Sequence, residues 1–139
     1  MYKRQQELTV GDVLRRKHAE GDIPPLLTVE THAKVRDAVA LLHEHRVSQL
    51  PVVSAHDPQS LVGSVSERGL LRHAMDDPAL LSAEIVEVME APFPAVSAED
   101  GVREAVELLA DRREALMVNM DGRAAGIVTR ADLLESLAR

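Results

Sequence analysis

Residues 35–42 read Val-Arg-Asp-Ala-Val-Ala-Leu-Leu, and residues 102–109 read Val-Arg-Glu-Ala-Val-Glu-Leu-Leu. The two stretches align at an offset of 67 (102 − 35), and Asp37 and Glu104 keep the same charge. At a shorter offset of 63, the match continues with Gly63, Val65, Leu70 and Leu71 against Gly126, Val128, Leu133 and Leu134. An internal repeat of this strength means that one supersecondary unit is used twice.

Each copy predicts the order β-α-β-β-α. The repeated stretch carries apolar residues at i, i+3, i+4 and i+7, which is the pattern of an amphipathic helix. Short apolar runs predict strands at 26–29, 50–53 and 61–65 in the first copy and at 94–96, 115–118 and 124–128 in the second. Turns are predicted at 54–60 in the first copy and at Asp121-Gly122 in the second. A final helix is predicted in each copy, near Glu67–Met75 and near Arg130–Ala138.

One further helix precedes each copy. The first runs from Thr9 to about Lys17 behind a Thr-x-x-Asp capping box, and the second runs from Ser82 to Met89 behind a serine cap. These helices give predicted domains at 1–75 and 76–139. Because a copy of about 60 residues buries too little core alone, we expect an α/β (α+β) fold in which the two repeats pack with pseudo-twofold symmetry.

Composition excludes several classes of function. The chain has 139 residues, a net charge of −7, one Tyr, one Phe and no Cys. The charge and the lack of aromatic rings argue against a nucleic-acid partner, and the lack of cysteine excludes disulfides and thiolate chemistry. No apolar run is long enough for a membrane span, so we predict a soluble, cytoplasmic protein without a membrane partner. Residues 43–45 (His-Glu-His) lack the spacing of a metal site on a helix, and no metal is predicted.

The best candidate for chemistry is the strand-to-helix junction at 126–132, which reads Gly-Ile-Val-Thr-Arg-Ala-Asp. A hydroxyl at a helix N-terminus suits a phosphate, and a carboxylate three residues later can accept hydrogen bonds from a ribose diol. The same spacing, Thr129-x-x-Asp132, is also a capping box that only holds the helix end. The spacing alone favours the capping interpretation.

The duplicated unit, with its Pro-Val strand at 51–52 and this Gly-x-x-Thr-x-x-Asp junction, resembles a tandem pair of CBS domains, the modules named after cystathionine β-synthase. The resemblance implies an adenosyl ligand such as AMP, ATP or S-adenosylmethionine, with Asp132 on the ribose hydroxyls and Thr129 near the phosphates. It also implies a pocket that combines both copies, lined by Val47, Ser48, Gln49, Leu50, Ile127, Thr129, Ala131 and Asp132, with Arg130 as a phosphate donor.

A second, weaker site is implied at the first copy's junction, with Ser66 and Arg68. Gly69 stands where the ribose carboxylate belongs. This glycine removes the diol acceptor, and it costs the helix about 1 kcal/mol relative to alanine. We therefore expect this site to be weak or empty.

A narrower resemblance, carried by 9–14, 47–53, 63–67, 88–89 and 92–94, is to the C-terminal regulatory region of bacterial cystathionine β-synthases. It implies a regulatory part without catalytic residues or a covalently bound cofactor, attached to or associated with a catalytic domain that carries pyridoxal phosphate. Two alternatives stay open: a free-standing CBS-pair sensor or regulator of another enzyme or transporter, and a dimerisation module that binds nothing. The final helices carry more leucines than one core face needs: Leu70, Leu71, Leu133, Leu134 and Leu137. Such residues more often belong to the core, but the resemblance to CBS pairs, in which the corresponding helices form a dimer interface, implies a homodimer.

Overall fold

Two three-stranded sheets and six α-helices form in the residues that the structure, a computed structural model, describes: 7–18, 23–110 and 114–138. The helices are α1 (Val10–Lys17), α2 (Val35–His45), α3 (Glu67–Ala74), α4 (Ile85–Val88), α5 (Val102–Leu109) and α6 (Arg130–Leu137). The strands are β1 (Val29–Glu30), β2 (Gln49–Ser54), β3 (Asp57–Ser66), β4 (Ala95–Ser97), β5 (Ala115–Met120) and β6 (Arg123–Thr129). The predicted β-α-β-β-α order is confirmed in both copies.

The two sheets have the same topology. In the order β1-β2-β3, the first pair is parallel and the second pair is antiparallel, and β4-β5-β6 repeats this arrangement. The parallel registers correspond, with Val29 opposite Val52 in one sheet and Val96 opposite Val118 in the other. A parallel pair needs a crossover connection, which α2 and α5 provide in their copies.

The contacts group the chain into two compact units that differ from the sequence repeats. One unit is Leu27–Pro92, and the other combines Met1–Leu26 with Phe93–Arg139. Helix α1 therefore packs with the strands of the second repeat, and α4 packs with those of the first. The boundaries 1–75 and 76–139 follow the repeats along the sequence and stay a prediction, as does the pseudo-twofold packing.

In the unit that contains the second repeat, α1 completes the core. Its buried residues share one cluster with the sheet and with α5 and α6: Val10, Val13, Leu14, Val96, Val102, Leu109, Leu116, Val118, Val128 and Leu133. Gly126 on β6 permits this packing, because a Cβ there would lie 2.7 Å from Leu14 Cδ1. The glycine thus lets α1 approach the strand that leads into α6.

In the unit Leu27–Pro92, α4 has the corresponding position. Ile85 and Val88 join the cluster formed by the first repeat. A Cβ at Gly63 on β3 would lie 2.6 Å from Met89 Sδ and 2.9 Å from the Glu90 carbonyl oxygen. This close approach lets Glu90 pair with Ser64 through two backbone hydrogen bonds of 2.8 and 2.9 Å.

The structure corrects two predicted segments in the first copy. The turn predicted over 54–60 is present but shorter, at residues 55–56, because β3 begins at Asp57, directly opposite Ser54. Strand β3 is at the end of the strand order, where the missing N–H of Pro58 is tolerated. The first strand also begins later than predicted, at Val29.

The helix predicted from Ser82 to Met89 is shorter. It begins at Ile85, where Glu84 is the N-cap residue and Glu87 accepts a hydrogen bond from the Glu84 N–H at 3.4 Å. Ser82 ends a 3-10 turn (Leu80–Ser82), and its hydroxyl binds an Arg36 nitrogen at 2.8 Å. The predicted serine cap is therefore wrong, because the Ser82 hydroxyl is hydrogen-bonded to Arg36 of α2 and Glu84 is the N-cap residue of α4.

Among the described residues, every helix is too short or too polar to cross a lipid bilayer.

Candidate functional site

The Thr129–Asp132 junction is a closed capping box at the start of α6. Thr129 is the N-cap residue in extended conformation, and its Oγ1 accepts a hydrogen bond from the Asp132 N–H at 3.2 Å. In return, Asp132 Oδ2 accepts from the Thr129 N–H at 2.8 Å. Both side chains are partly exposed at the point where β6 turns into the helix. The capping interpretation is confirmed in geometry.

A carboxylate at the third helical position is a general device in this chain. In five helices it accepts a hydrogen bond from the backbone N–H of the N-cap residue: Asp12, Asp37, Glu87, Glu104 and Asp132. In α3 the third position is Gly69. A capping carboxylate alone is therefore no evidence for a ligand, and what surrounds Asp132 has to distinguish it.

What distinguishes Asp132 is an ammonium group from another helix. Lys17, the last residue of α1, has its Nζ 3.0 Å from Asp132 Oδ2. The same Nζ donates a hydrogen bond to the Ile127 carbonyl oxygen at 2.7 Å. The Lys17 and Asp132 side chains are 28% and 15% exposed. Sequence reasoning missed Lys17, because a basic residue in a last helical turn is explained by the helix dipole alone.

Two other side chains at the end of α1, Arg16 and His18, lie near α6. Arg16 donates to the Ser136 carbonyl oxygen of α6 at 3.4 Å. Burial, and next the charge of Lys17, lower the pKa of His18, while Asp132 opposes the shift. The end of α1 is thus attached to the beginning and the end of α6 through cationic side chains.

The remaining predicted residues on this side surround the same turn. Ile127 is half-buried on β6, whereas Arg130 and Ala131 are exposed in the first turn of α6. Arg130, predicted as a phosphate donor, donates from its Nε to the Leu109 carbonyl oxygen at 3.0 Å. Its guanidinium is held near the junction.

The predicted segment 47–50 lies in the other unit, at the start of β2. Arg46 ends α2 in the left-handed conformation (φ 56°), and Val47 then donates to the Leu42 carbonyl oxygen at 3.1 Å. Ser48 is exposed, and Gln49 is half-buried, whereas Leu50 is buried in the core. A surface depression of about 590 Å³ borders this segment, lined by Leu42, His43, Glu44, Arg46, Val47, Ser48 and Glu67.

Within this unit, the structure brings segment 47–50 beside the Ser66 junction. The Ser48 carbonyl oxygen accepts from the Glu67 N–H at 2.9 Å, and Gln49 lies opposite Ser66 in the β2–β3 pair. The predicted residues 127–132 belong to the other unit. That they form one pocket with residues 47–50 stays a prediction.

The Ser66 junction lacks a capping carboxylate but has one nearby. Ser66 Oγ accepts from the Gly69 N–H at 3.0 Å and is buried, while Arg68 is exposed. A Cβ at Gly69 would lie 2.7 Å from Glu90 Oε2. Glu90 thus extends its carboxylate into the space that a side chain at position 69 would occupy. No sequence signal connects the two positions, because their approach depends on the Ser64–Glu90 pairing.

Among residues 7–18, 23–110 and 114–138, no group of three or more His, Cys, Asp or Glu side chains is arranged to hold a metal ion.

Comparison with known proteins gives a relative and several similar structures. The chain is 31% identical over 115 residues to an A-adding tRNA nucleotidyltransferase of Aquifex aeolicus, matching 81% of this chain but only 13% of that protein's length. The crystal structure of the CBS-domain protein ATU1752 from Agrobacterium tumefaciens has a TM-score of 0.81 at 22% identity, covering 99% of this chain and 98% of the other.

Two similar structures contain nucleotides. CBSX2, whose crystal structure is a complex with AMP, is 27% identical, with a TM-score of 0.71 and coverage of 94% and 96%. The CBS domain of a bacterial CNNM/CorC family Mg²⁺ transporter, in complex with ATP, has a TM-score of 0.72 and coverage of 94% and 87%. Its identity of 22% indicates the shared fold alone.

The CBS domain family matches residues 10–76 and 85–139, which together are most of the chain and include both copies of the repeat. The match, the twofold β-α-β-β-α order and the similar structures agree. The chain belongs to the CBS domain family.

Proposed function

We propose that the chain is a regulatory module that binds an adenosyl ligand, with the Thr129–Asp132 junction as the ribose and phosphate side of the pocket. The observation that carries the proposal is the AMP complex of CBSX2, which is 27% identical over nearly the whole length of both chains. The Gly-x-x-Thr-x-x-Asp junction supports it, because its hydroxyl and carboxylate are both partly exposed at a helix N-terminus.

The chemistry of this junction suits such a ligand. The positive end of α6 favours an anionic group beside Thr129. Asp132, already a hydrogen-bond acceptor for a backbone N–H, can also accept from ribose hydroxyls, since an ionised carboxylate offers about four lone-pair positions. Ile127 is a half-buried aliphatic residue that suits one face of an adenine ring.

Isothermal titration calorimetry with AMP, ATP and S-adenosylmethionine tests the proposal. We expect the wild type to bind an adenosyl ligand and Asp132→Asn to lose that binding. The matched control is Asp12→Asn, since Asp12 closes the same capping box with Thr9 on α1. Both variants replace a capping carboxylate with a neutral amide, and only Asp132→Asn removes the negative charge and one acceptor oxygen from the proposed ribose site.

Two results would contradict the proposal. If the wild type shows no heat of binding with any of the three ligands at millimolar concentration, the module is not an adenosyl sensor. Unchanged binding by Asp132→Asn, with the variant shown to be folded, moves the pocket away from this junction.

As a regulator, the module acts on an attached or associated catalytic domain. Ligand binding shifts the population between two arrangements only if their affinities differ. The narrower likeness to the regulatory region of bacterial cystathionine β-synthases rests on the motifs at 9–14, 47–53, 63–67, 88–89 and 92–94, not on the relatives described above. The coding sequence around this chain tests it, because a pyridoxal-phosphate synthase domain upstream is required.

A second candidate function is a homodimerisation module. The observation that favours it is a set of exposed aliphatic side chains on and just after the final helix of each copy: Leu71 (71% exposed), Met75 (83%), Leu134 (68%) and Leu137 (56%). Sedimentation velocity of the wild type and of Leu71→Glu/Leu134→Glu tests this function. A wild type that sediments as a monomer at 100 µM or so excludes a stable dimer through these helices.

A further inference from the structure

A lysine from α1 lies against the carboxylate of the Thr129–Asp132 junction. We propose that Lys17 makes this junction selective for adenosyl ligands that carry a phosphate at C5′ of the ribose, over ligands that carry a sulfonium at the same carbon. The inference rests on the proposed function, because it concerns the charge of the same site.

Lys17 is held in position by two acceptors. Its Nζ lies 3.0 Å from Asp132 Oδ2 and 2.7 Å from the Ile127 carbonyl oxygen. The Asp132 oxygen that it contacts also accepts the Thr129 N–H, so ammonium, carboxylate and helix N-terminus form one connected group. With 28% of its side chain exposed, Lys17 is ordered by the fold and is still accessible to a ligand.

The charges around Asp132 leave an excess of positive potential. Lys17 offsets the negative charge of Asp132, while Arg16 and Glu135, which border the same small depression beside Asp132, offset each other. The positive end of the α6 dipole remains. An anionic group near Thr129 is therefore attracted, and a cationic group is repelled.

The two classes of ligand differ at one atom. In AMP and ATP, C5′ bears the oxygen of a phosphate ester, whereas in S-adenosylmethionine the same carbon is bonded to a positively charged sulfur. If Asp132 fixes the ribose, both groups extend from the same point towards the junction. Lys17 then strengthens binding of the phosphate by charge-assisted attraction and weakens binding of the sulfonium.

Titration of AMP and S-adenosylmethionine into the wild type, Lys17→Met, Lys17→Arg and Lys34→Met tests this inference. We expect AMP to bind the wild type more tightly than S-adenosylmethionine. Lys17→Met should weaken AMP binding about tenfold at low salt. The difference from the wild type should be smaller at high salt, because salt screens the attraction between Lys17 and the phosphate in the wild type. Lys17→Arg keeps the charge and should retain the preference. Lys34→Met, an exposed lysine of the other unit, is the control and should leave both affinities unchanged.

The outcomes separate this inference from the proposed function. A wild type that binds S-adenosylmethionine more tightly than AMP overturns the role of Lys17 and leaves the adenosyl site intact. Unchanged AMP binding by folded Lys17→Met also overturns the role of Lys17. Tighter AMP binding by this variant overturns it as well, and would mean that the ammonium competes with the ribose for Asp132. Failure of the wild type to bind either ligand overturns both proposals. Thermal unfolding of each variant, followed by circular dichroism, verifies that the compared proteins are folded.

Discussion

The junctions at Ser66 and Thr129 occupy the same place in the two repeats, yet the charged side chains near the helix N-terminus come from different parts of the chain. At Thr129 the carboxylate belongs to the helix itself, and a lysine from α1 binds it. At Ser66 the third helical position is Gly69, and the nearby carboxylate comes from Glu90 after α4. Because a hydroxyl cap is enough to begin the helix in both copies, the helix does not require a carboxylate at its third position, and Asp132 can therefore serve in ligand binding.

The comparison also shows how each leading helix depends on a glycine. Gly63 and Gly126 both stand three residues before the capping hydroxyl. Each allows a close approach, by the chain after α4 in one unit and by Leu14 of α1 in the other. Glu90 belongs to the segment that approaches Gly63, and Lys17 lies three residues after Leu14 on α1.

The largest effect is expected from adding a methyl group at these two glycines. Overpacking a well-packed interior typically costs about 1–3 kcal/mol of unfolding free energy. We expect Gly63→Ala to cost more than Gly126→Ala, because its Cβ meets the Glu90 carbonyl oxygen at 2.9 Å, whereas the three atoms nearest to a Cβ at Gly126 all belong to the Leu14 side chain. Urea unfolding of both variants measures the difference. A smaller cost at Gly63 would mean that the chain after α4 moves more easily than α1.

A smaller effect, of opposite sign, is expected at Gly69. Alanine stabilises a helix interior by about 0.5–1 kcal/mol relative to glycine. The new Cβ would lie 2.7 Å from Glu90 Oε2, but Glu90 is exposed and its carboxylate can move aside. Gly69→Ala should therefore raise the unfolding free energy, and by more in a Glu90→Ala background. A loss of stability in both backgrounds would mean that the Ser66 junction has no room for a side chain.

The smallest effect concerns His18, which reports on the charges of the Thr129 junction. Its lowered pKa arises first from burial and then from Lys17, and Asp132 opposes the shift. Lys17→Met should raise this pKa, and Asp132→Asn should lower it further, as measured by NMR titration of the imidazole. Shifts in the reverse directions would contradict the electrostatic description of the junction.

The sign for stability follows from the same shift. Because the unfolded chain binds the His18 proton more readily, the folded state loses stability as the pH falls below the usual value near 6.5 and towards the lowered pKa. Lys17→Met should reduce this loss.

Much of the fold could be predicted from the sequence because it depends on local patterns. The apolar spacing of α2 and α5 and the capping boxes at Thr9 and Thr129 involve residues within a few positions of each other. The errors occurred where another segment intervenes. Ser82 is engaged by Arg36 rather than capping a helix, and β3 extends through Pro58 at the end of its sheet's strand order.

Less of the candidate site could be predicted. The sequence indicates Thr129 and Asp132, and the resemblance to CBS domains suggests their ligand. It does not indicate Lys17 or Glu90, whose effects come from contacts with distant parts of the chain. Lys17 and Ile127, for example, are 110 residues apart.

By itself, the sequence determined a repeated β-α-β-β-α unit, the hydroxyl caps at Thr9 and Thr129, and an aliphatic core almost without aromatic rings. These properties follow from periodicity, capping and composition, which act locally. Only the tertiary structure decided that α1 packs with the second repeat and α4 with the first. A leading helix can bury its apolar face against either copy, and burial depends on which sheet it meets rather than on its place in the chain. That choice brings Lys17 to Asp132 and Glu90 to Gly69.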